Sequence, residues 1–414
     1  MYQEKKSFLR KISCYAVLLF ALSSFAQEQK PDLNFYGFVR NDFYYNSRQN
    51  DESMDGVFHI APKPVIQEGG KDKNAVSEAE MLSVSTRVGL DVEGADMFGA
   101  KISAKIEADF AGSGSSYFVL RLRQAYTKFD WTKSELLIGQ TWHPLFGSVF
   151  PDVISINTGS PFQPFNRSPQ VRYVYKLNDV FSLSAAAVYQ MQYTSQGPNG
   201  ASTTYMKQAV VPDLFVGIEN KTKHWTSGAG FDTKTIKPVI DASITSLSAM
   251  VYTQYVDSKF QFRLKGLWGQ NMSDYLLMNG YGVSQIDENT GKETGYTNFD
   301  IFTSWLNIVY GSKWRVGLYA GFSQNLGTNK DLVEVGGVGE FAVYSRGFYK
   351  DQQLFSDQVY RASVYVSHNL PRFSFGAEYN FTAVQYGKLQ RDGRTNENTW
   401  VNNYRIAANV VYHF

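Results

Sequence analysis

The sequence predicts an all-β protein, a transmembrane antiparallel β-barrel of about sixteen strands with short periplasmic turns and long outer loops. Three observations indicate this fold: apolar and polar residues alternate in many segments, short connections alternate with long ones, and the last segment is an aromatic strand. The composition agrees, because 15% of the residues are aromatic while the mean hydropathy is only −0.30. A barrel hides its apolar surface by alternation, so its mean hydropathy resembles that of a soluble protein.

The clearest alternating segment runs from Lys101 to Phe110. Its even positions are apolar and its odd positions are lysine, serine or acidic residues, so one face suits lipid and the other suits water. Comparable alternation covers 83–93, 170–177 and 260–268. A half-buried strand of a soluble sheet would look the same on its own. The number of such segments, together with the lack of helical periodicity, favours the barrel.

The last segment, Tyr404 to Phe414, indicates how the barrel closes. Its even positions are apolar or aromatic, whereas Arg405, Asn409 and His413 need water. A strand this aromatic would tend to aggregate if its edge stayed free, and pairing with the first strand of a barrel removes that edge. We therefore expect the last strand to pair with the first.

Connection lengths give an independent strand count, because outer-membrane barrels alternate short periplasmic turns with long outer loops. The predicted strands are 34–46, 81–94, 99–111, 118–130, 134–142, 169–177, 181–194, 211–221, 225–234, 242–256, 260–272, 297–310, 314–326, 357–369, 373–387 and 398–414. When the connections are numbered along the chain, the even-numbered ones are all short and the odd-numbered ones include every long stretch. This pattern places both termini on the periplasmic side. Two segments leave the count open: the glycine-rich ninth strand, and 335–349, where an extra hairpin would make eighteen strands.

The amino-terminal segment has the pattern of a cleaved export signal. Basic residues between Lys5 and Lys11 precede an apolar stretch at 16–22, and a small residue at Ala26 suits signal peptidase. We expect a signal peptide over 1–26, a short periplasmic segment over 27–33 and one barrel over 34–414, in the outer membrane. The single cysteine falls within the signal, so no disulfide is expected. Removing a segment of net charge +3 changes the formal charge from +2 to about −1, which gives no reason to expect a nucleic-acid partner.

Several basic side chains fall on predicted inward positions. Arg121 and Arg123 share one parity and lie beside Lys105 of the preceding strand. The candidate pore residues are Arg87, Lys105, Arg121, Arg123, Arg167 and Arg172. Guanidinium groups in a water-filled waist would attract carboxylates and make the channel prefer anions. Alternatively, these side chains pair with Glu107, Asp109 and other lumen acids and have no part in selectivity.

The segment 143–168 differs in composition from the other long loops. It is rich in proline and phenylalanine and poor in charge, although an exposed outer loop would be polar. Folding the segment into the barrel would bury its rings against the inner wall, and its prolines lower the entropy cost of holding it there. We interpret it as the constriction loop that sets the pore size and presents Arg167. The alternative is a rim loop or a trimer contact.

Enzymatic functions find little support. The five histidines are scattered, without metal-ligand spacing, and the phosphate-loop lysine is missing from the glycine-rich stretch 112–116. A barrel hydrolase would need a serine, a histidine and an acid together, and only His143 and Ser148 lie close in sequence. The sequence therefore predicts no enzyme, no cofactor and no metal site. Acidic stretches at 51–52 and 287–291 leave calcium binding open, with solvated loop tips as the alternative.

Four motifs carry a family resemblance. They are Lys105 to Phe110 (KIEADF), Arg121 to Tyr126 (RLRQAY), Leu137 to Trp142 (LIGQTW) and Ser168 to Tyr173 (SPQVRY). In order and spacing this region resembles the DcaP-like outer-membrane porins of Gram-negative bacteria. The resemblance implies a homotrimer, embedded in outer-membrane lipid and lipopolysaccharide, through which small anionic solutes diffuse passively. A structural or partner-binding barrel whose lumen is closed by loops remains the alternative.

Overall fold

The computed structural model describes residues 31–53, 57–94, 96–111, 119–155, 158–189, 194–335 and 337–414. The predicted signal peptide and residues 27–30 lie outside this part of the chain, so cleavage after Ala26 stays a prediction. Sixteen strands form a closed antiparallel barrel, as the sequence predicted. They are β1 (Asp32–Asn46), β2 (Glu78–Leu82, continued by Arg87–Glu93), β3 (Lys101–Asp109), β4 (Arg121–Asp130), β5 (Ser134–Trp142), β6 (Arg167–Lys176), β7 (Phe181–Val188), β8 (Asp213–Lys221), β9 (Trp225–Val239), β10 (Ala242–Val256), β11 (Phe260–Gln270), β12 (Glu293–Gly311), β13 (Trp314–Thr328), β14 (Leu354–Asn369), β15 (Phe373–Leu389) and β16 (Thr395–His413).

The barrel closes between its first and last strands. β1 pairs with β16 from Phe38 opposite His413 to Asn46 opposite Arg405, and it pairs with β2 on its other side. The ring of Phe414 stacks on that of Phe35, with centroids 6.1 Å apart. The aromatic end of the last strand, 405–413, therefore has a partner on this edge, which removes the free edge that would favour aggregation.

Alternation along each strand separates lipid-facing from inward side chains. On β16 the side chains of Tyr404 and Ile406 are about half exposed, whereas Asn403 and Arg405 are fully buried inside the barrel. The same pattern holds on β14, where Arg361 is buried between exposed neighbours. The inner wall is mainly polar and charged, and most apolar side chains of the strands face outward, as the period of two predicted.

The extra hairpin that would have made eighteen strands does not cross the barrel. Of the segments near 335–349, Val343–Ser345 pairs with Gly280–Ile286 in an outer loop. Phe348–Tyr349 pairs with the outer end of β14. Both segments are too short to span a bilayer, which needs about ten residues of strand. Residue 336 lies outside the described residues.

The ninth strand is longer than predicted. β9 ends at Val239 rather than near 234, and it turns directly into β10 at Ala242. Its glycines make room for rings of neighbouring strands, because a Cβ at Gly230 would lie 2.5 Å from Phe215 and one at Gly228 would lie 2.4 Å from Tyr252. The glycines that suggested a weak strand therefore accommodate aromatic side chains on the inner wall.

Two long segments fold into the lumen rather than lying outside. One is 143–166, between β5 and β6, and the other is the Phe58–Pro62 strand that follows β1. Buried side chains of both segments, among them Ile60 and Phe162, form the main apolar core together with rings of the barrel wall such as Trp305. The sequence predicted the first inward segment and placed the second among the outer loops.

The helices are few and short. Among the described residues they comprise one α-helix, Thr204–Ala209, and three 3-10 turns, Pro144–Phe146, Ser273–Tyr275 and Lys350–Gln352. None of the helices in the described ranges has the length and hydrophobicity that a membrane-crossing helix needs.

Candidate functional site

The segment 143–166 leaves the barrel wall and returns to it at one point. The His143 amide donates to the Asn166 carbonyl, 2.9 Å away, directly between the end of β5 and the start of β6. Pro144–Phe146 then forms a 3-10 turn whose first residue is proline, where the missing amide donor costs nothing. The Phe165 amide donates to the Tyr275 carbonyl over 3.0 Å, which joins the returning end to the loop after β11.

The far part of the segment reaches the opposite wall. The amides of Ile154 and Ser155 both donate to one carboxylate oxygen of Glu378 on β15, at 3.0 and 3.1 Å. The Thr158 hydroxyl donates to the other oxygen of the same carboxylate. The Arg40 guanidinium of β1 donates to the Ile154 carbonyl at 2.8 Å. The segment therefore crosses the lumen from β5 to β15 and is held at both ends. We call 143–166 the crossing segment.

Aromatic packing and buried polar bonds fix the near part of the segment. The Trp142 and Phe146 rings stack with their centroids 4.0 Å apart. Gln163 donates to the Phe146 carbonyl at 2.8 Å and accepts from the Trp305 indole at 3.0 Å. The Lys265 ammonium donates to the Phe146 carbonyl at 2.7 Å. The phenylalanines at 146, 162 and 165 are buried, as predicted, whereas Phe150 is exposed.

Arg361 on β14 joins the two inward segments. One terminal nitrogen of its guanidinium donates to the carbonyls of Thr158, at 3.2 Å, and Ser160. The other donates to the Ile60 carbonyl at 3.0 Å. The side chain is 2% exposed, so both segments are tied to one buried cation on the barrel wall.

A cavity of about 520 Å³ lies against the segment 143–166. Its lining includes the apolar rings of Phe58, Phe146 and Phe150. It also includes guanidinium groups. The arginines that line the cavity are Arg87, Arg121, Arg123, Arg167 and Arg263. Four of these five were named as candidate pore residues from the sequence.

Acidic side chains of β3 bind the central arginines. Arg121 donates to both oxygens of Asp109, at 2.9 and 2.6 Å. Arg123 donates to Glu107 and to Asp109, at 2.8 Å each. The register between β3 and β4 shifts directly after Glu107. Arg123 contacts both acids, while it shares Asp109 with Arg121. Arg87 of β2 lies 3.7 Å from the second oxygen of Glu107.

The remaining predicted site residues lie apart or differ from expectation. Arg167 belongs to β6, not to the loop, and its guanidinium stacks on the Trp142 ring at 4.4 Å. Lys105 binds Asp91 at 2.8 Å and lines a separate cavity of about 280 Å³. Arg172 donates to the Trp142 carbonyl at 2.6 Å and lines a third cavity, of about 150 Å³. The structure therefore does not bring these two cations into the arginine-lined cavity.

Sequence reasoning missed Arg263, Asp152 and Arg315. Asp152, in the crossing segment, lies 3.8 Å from Arg263 and forms an ion pair with Arg315 of β13. Alternation had placed Arg263 on the inward face of its strand, but no local pattern distinguished it from other inward cations. Arg263 lies near the cavity because of the path that 143–166 takes through the lumen. The sequence of β11 gives no information about that path.

At the start of the crossing segment, His143 lies in a buried group with two aspartates. The His143 side chain lies near Asp213 and Asp232, with all three buried, and their ligand atoms lie within 4.8 Å of one another. Burial lowers the pKa of His143 to about 4, although the Asp232 charge opposes this shift. The imidazole is therefore neutral at neutral pH.

A closed sixteen-strand barrel with charged inner walls and a loop across its lumen has the fold of an outer-membrane channel. The structure is similar to the crystal structure of the outer membrane channel DcaP of Acinetobacter baumannii, with a TM-score of 0.69, 21% identity, and coverage of 94% of this chain and 99% of that one. It is also similar to an anion-selective porin from Comamonas acidovorans (TM-score 0.57, 9% identity, 93% and 100% coverage). OmpT, an outer membrane protein of Vibrio cholerae, has a TM-score of 0.54, 12% identity, and 94% and 100% coverage.

No protein-family model matches the chain, and no curated protein sequence matches it either. The resemblance to DcaP-like porins, which the sequence suggested over about 100–177, is thus confirmed at the level of the fold, over almost the whole chain.

Proposed function

We propose that this protein is a passive porin, a water-filled channel that admits small hydrophilic solutes and favours anions, carboxylates in particular. It would reside in the Gram-negative outer membrane, in contact with lipid and lipopolysaccharide, and assemble as a homotrimer. The fold, shared with outer-membrane channels, supports the passive channel. The preference for anions comes from the candidate site.

The observation that carries the proposal is the charge around the arginine-lined cavity. Five arginines line it, against the carboxylates of Asp109 and Asp152. Glu107 contacts two of these arginines, Arg87 and Arg123, so five positive charges face three negative ones, a net of +2. Positive charge in a narrow aqueous space with low-dielectric walls raises the local concentration of anions. Guanidinium groups also match the geometry of carboxylates.

The ion pairs to Glu107 and Asp109 support the alternative that Arg121 and Arg123 stabilise the wall. Pairing reduces the positive potential but leaves an excess, because the arginines outnumber the acids. The two hypotheses differ in what removal of the arginines would change. A role in selectivity predicts a change in ion preference, whereas a structural role predicts a change in stability alone.

The crossing segment is proposed as the constriction. It contacts both sides of the inner wall, and the cavity lies between its rings and the arginines. A segment held by the buried contacts of Glu378 and Arg361 would keep a fixed opening. Solutes would then pass the guanidinium groups at the narrowest part of the channel.

A second candidate is a structural or partner-binding barrel closed by its own loops. The observation that favours it is the inward course of Phe58–Pro62, which adds buried apolar side chains to those of the crossing segment. The two candidates predict opposite electrical behaviour. A closed barrel would insert into a planar bilayer without stepwise conductance.

The test of anion preference is to replace Arg121 and Arg123 together by serine. Each lost charge acts on a passing ion about 7 Å away with about 0.6 kcal/mol in water, and about half of this after screening at 0.1 M salt. Two charges, acting oppositely on anions and cations, change the ratio of anion to cation permeability about eightfold. The reversal potential in a potassium chloride gradient measures that ratio.

The matched control is the double replacement of Arg391 and Arg394 by serine. These arginines are about two-thirds exposed in the outer hairpin between β15 and β16, and the same two charges are lost. The control should leave the reversal potential within about 20% of its original value, since solvent screens exposed charges. An unchanged reversal potential in both variants would assign Arg121 and Arg123 to wall stability.

A further inference from the structure

Three chain segments meet at one buried group of side chains beside the crossing segment. His143 is the first residue after β5, Asp213 begins β8, and Asp232 lies within β9. The His143 Nε2 atom is 3.8 Å from Asp213 Oδ2 and 3.9 Å from Asp232 Oδ1. All three residues are at most 2% exposed. The group therefore lies between the loop and two neighbouring strands, away from bulk water.

Nearby cations do not neutralise the two aspartates through direct contact. Lys234 donates to both carboxylate oxygens of Asp274, at 2.7 Å each, and so is already paired. Within the described part of the chain, the Oδ1 atoms of Asp213 and Asp232 are buried and have no hydrogen-bond partner. The Tyr275 hydroxyl donates to the other oxygen of Asp213 over 3.4 Å. A buried carboxylate oxygen without a partner is costly, so the arrangement calls for a bound cation or a shared proton.

His143 does not supply the missing positive charge. Its Nδ1 atom accepts a hydrogen bond from the Leu145 amide, 3.2 Å away. An imidazolium ring carries hydrogens on both nitrogens and cannot accept such a bond. The ring is therefore neutral, and its other nitrogen lies 3.3 Å from the Tyr275 hydroxyl and near the two carboxylates.

We propose that His143, Asp213 and Asp232 form a binding site for a divalent transition-metal ion of the zinc class. One imidazole nitrogen and two carboxylate oxygens are ligands that zinc accepts, whereas calcium and magnesium prefer oxygen alone. Tetrahedral ligands at zinc distances lie about 3.3 to 3.5 Å apart. The two separations of His143 Nε2, 3.8 and 3.9 Å, exceed this by about 0.3 to 0.6 Å, which small side-chain rotations can close.

Metal binding has a structural consequence for the crossing segment. When a metal occupies Nε2, the proton of a neutral imidazole resides on Nδ1, which then no longer accepts the Leu145 amide. The ion would thus replace a local turn bond with a cross-link from the loop to β8 and β9. His143 also lines the cavity of about 150 Å³, which gives an ion a path to the ligands.

The test uses the full barrel, purified without a histidine tag and stripped with a chelator. Metal analysis after dialysis should show one Zn²⁺ per chain, and Co²⁺ should give the visible absorption of a four- or five-coordinate site. The variants His143→Gln and Asp232→Asn should each weaken Zn²⁺ binding at least tenfold. The matched control is His59→Gln, because His59 is equally buried in the lumen but lies outside this group.

Each outcome of this experiment decides the matter. Loss of binding in both site variants, with binding kept in the control, supports the site, and if one variant fails to fold the other gives the answer. Absence of Zn²⁺ binding in the unmodified protein would overturn the proposal and leave Asp213 and Asp232 sharing a proton. Binding that survives both substitutions would place the ion elsewhere. Calcium binding as tight as zinc binding would also overturn it, since it would exclude a histidine ligand.

Discussion

Arg361 offers the sharpest perturbation of the inner architecture, because one buried side chain holds both inward segments. Its guanidinium donates to the Thr158 and Ser160 carbonyls of the crossing segment and to the Ile60 carbonyl of the other. Replacement by glutamine shortens the side chain and removes its charge. We expect both segments to leave the wall more often, with larger and noisier conductance.

The expected size of the effect follows from the bonds that are lost. A hydrogen bond from a charged donor contributes roughly 1.5 to 3 kcal/mol. If the glutamine retains part of one bond, each inward segment loses about 2 kcal/mol of docking free energy. Since every 1.4 kcal/mol is tenfold, the undocked population of each segment rises about 30-fold.

The assay is single-channel recording in planar bilayers, with Arg405→Gln as the matched control. Arg405 is also 2% exposed on the inner wall. Its guanidinium lies on the Tyr44 ring at 3.9 Å, and its three nitrogens have no hydrogen-bond partner among the described residues. The control therefore removes an equally buried charge without removing a loop contact.

The two variants should differ in channel noise and in the frequency of high-conductance openings. Identical traces for Arg361→Gln and Arg405→Gln would refute the reasoning, because they would show that the buried carbonyl contacts do not hold the segments. Both proteins should first show the heat-dependent gel mobility of a folded barrel, so that misfolding is excluded.

The remaining predictions also concern the crossing segment. Deleting 154–161 should raise single-channel conductance and admit larger solutes, because an obstacle leaves the lumen; unchanged conductance from a folded barrel would place the constriction elsewhere. Gly321→Ala should displace the Phe162 ring, since a Cβ there would lie 2.6 Å from it. We expect a cost of about 1 to 3 kcal/mol, seen as a lower thermal midpoint. Gly266→Ala is the control, since its Cβ would meet only Val251 at 3.8 Å, and equal midpoints would contradict the argument.

The barrel could be predicted from the sequence because its main signals are local. A period of two along a strand, as in 101–110, separates lipid-facing from inward residues without knowledge of any distant contact. Connection lengths then gave the number of strands. The ninth strand was predicted with Gly228 and Gly230 inside it, but its end was placed near 234, before the register shift between Ile236 and Val239. The rings that these glycines accommodate, Phe215 and Tyr252, belong to other strands and could not be assigned from the sequence of β9.

The candidate site could be predicted only in part. Arg121 and Arg123 were found, together with their pairing to β3, because both facts follow from adjacent strands. Lys105 and Arg172 were grouped with them but line other cavities, since parity gives the face of a strand and not which cavity a side chain lines. His143 and its aspartates were missed because the crossing segment brings them together from distant positions.

The most direct test of the central claim is the conductance of the unmodified protein in a planar bilayer under a potassium chloride gradient. We predict stepwise openings and a reversal potential whose sign reports preference for chloride, because the arginine-lined cavity carries a net positive charge. Insertion of folded barrels without any conductance steps would contradict the passive channel, and a reversal potential of the opposite sign would contradict the preference for anions.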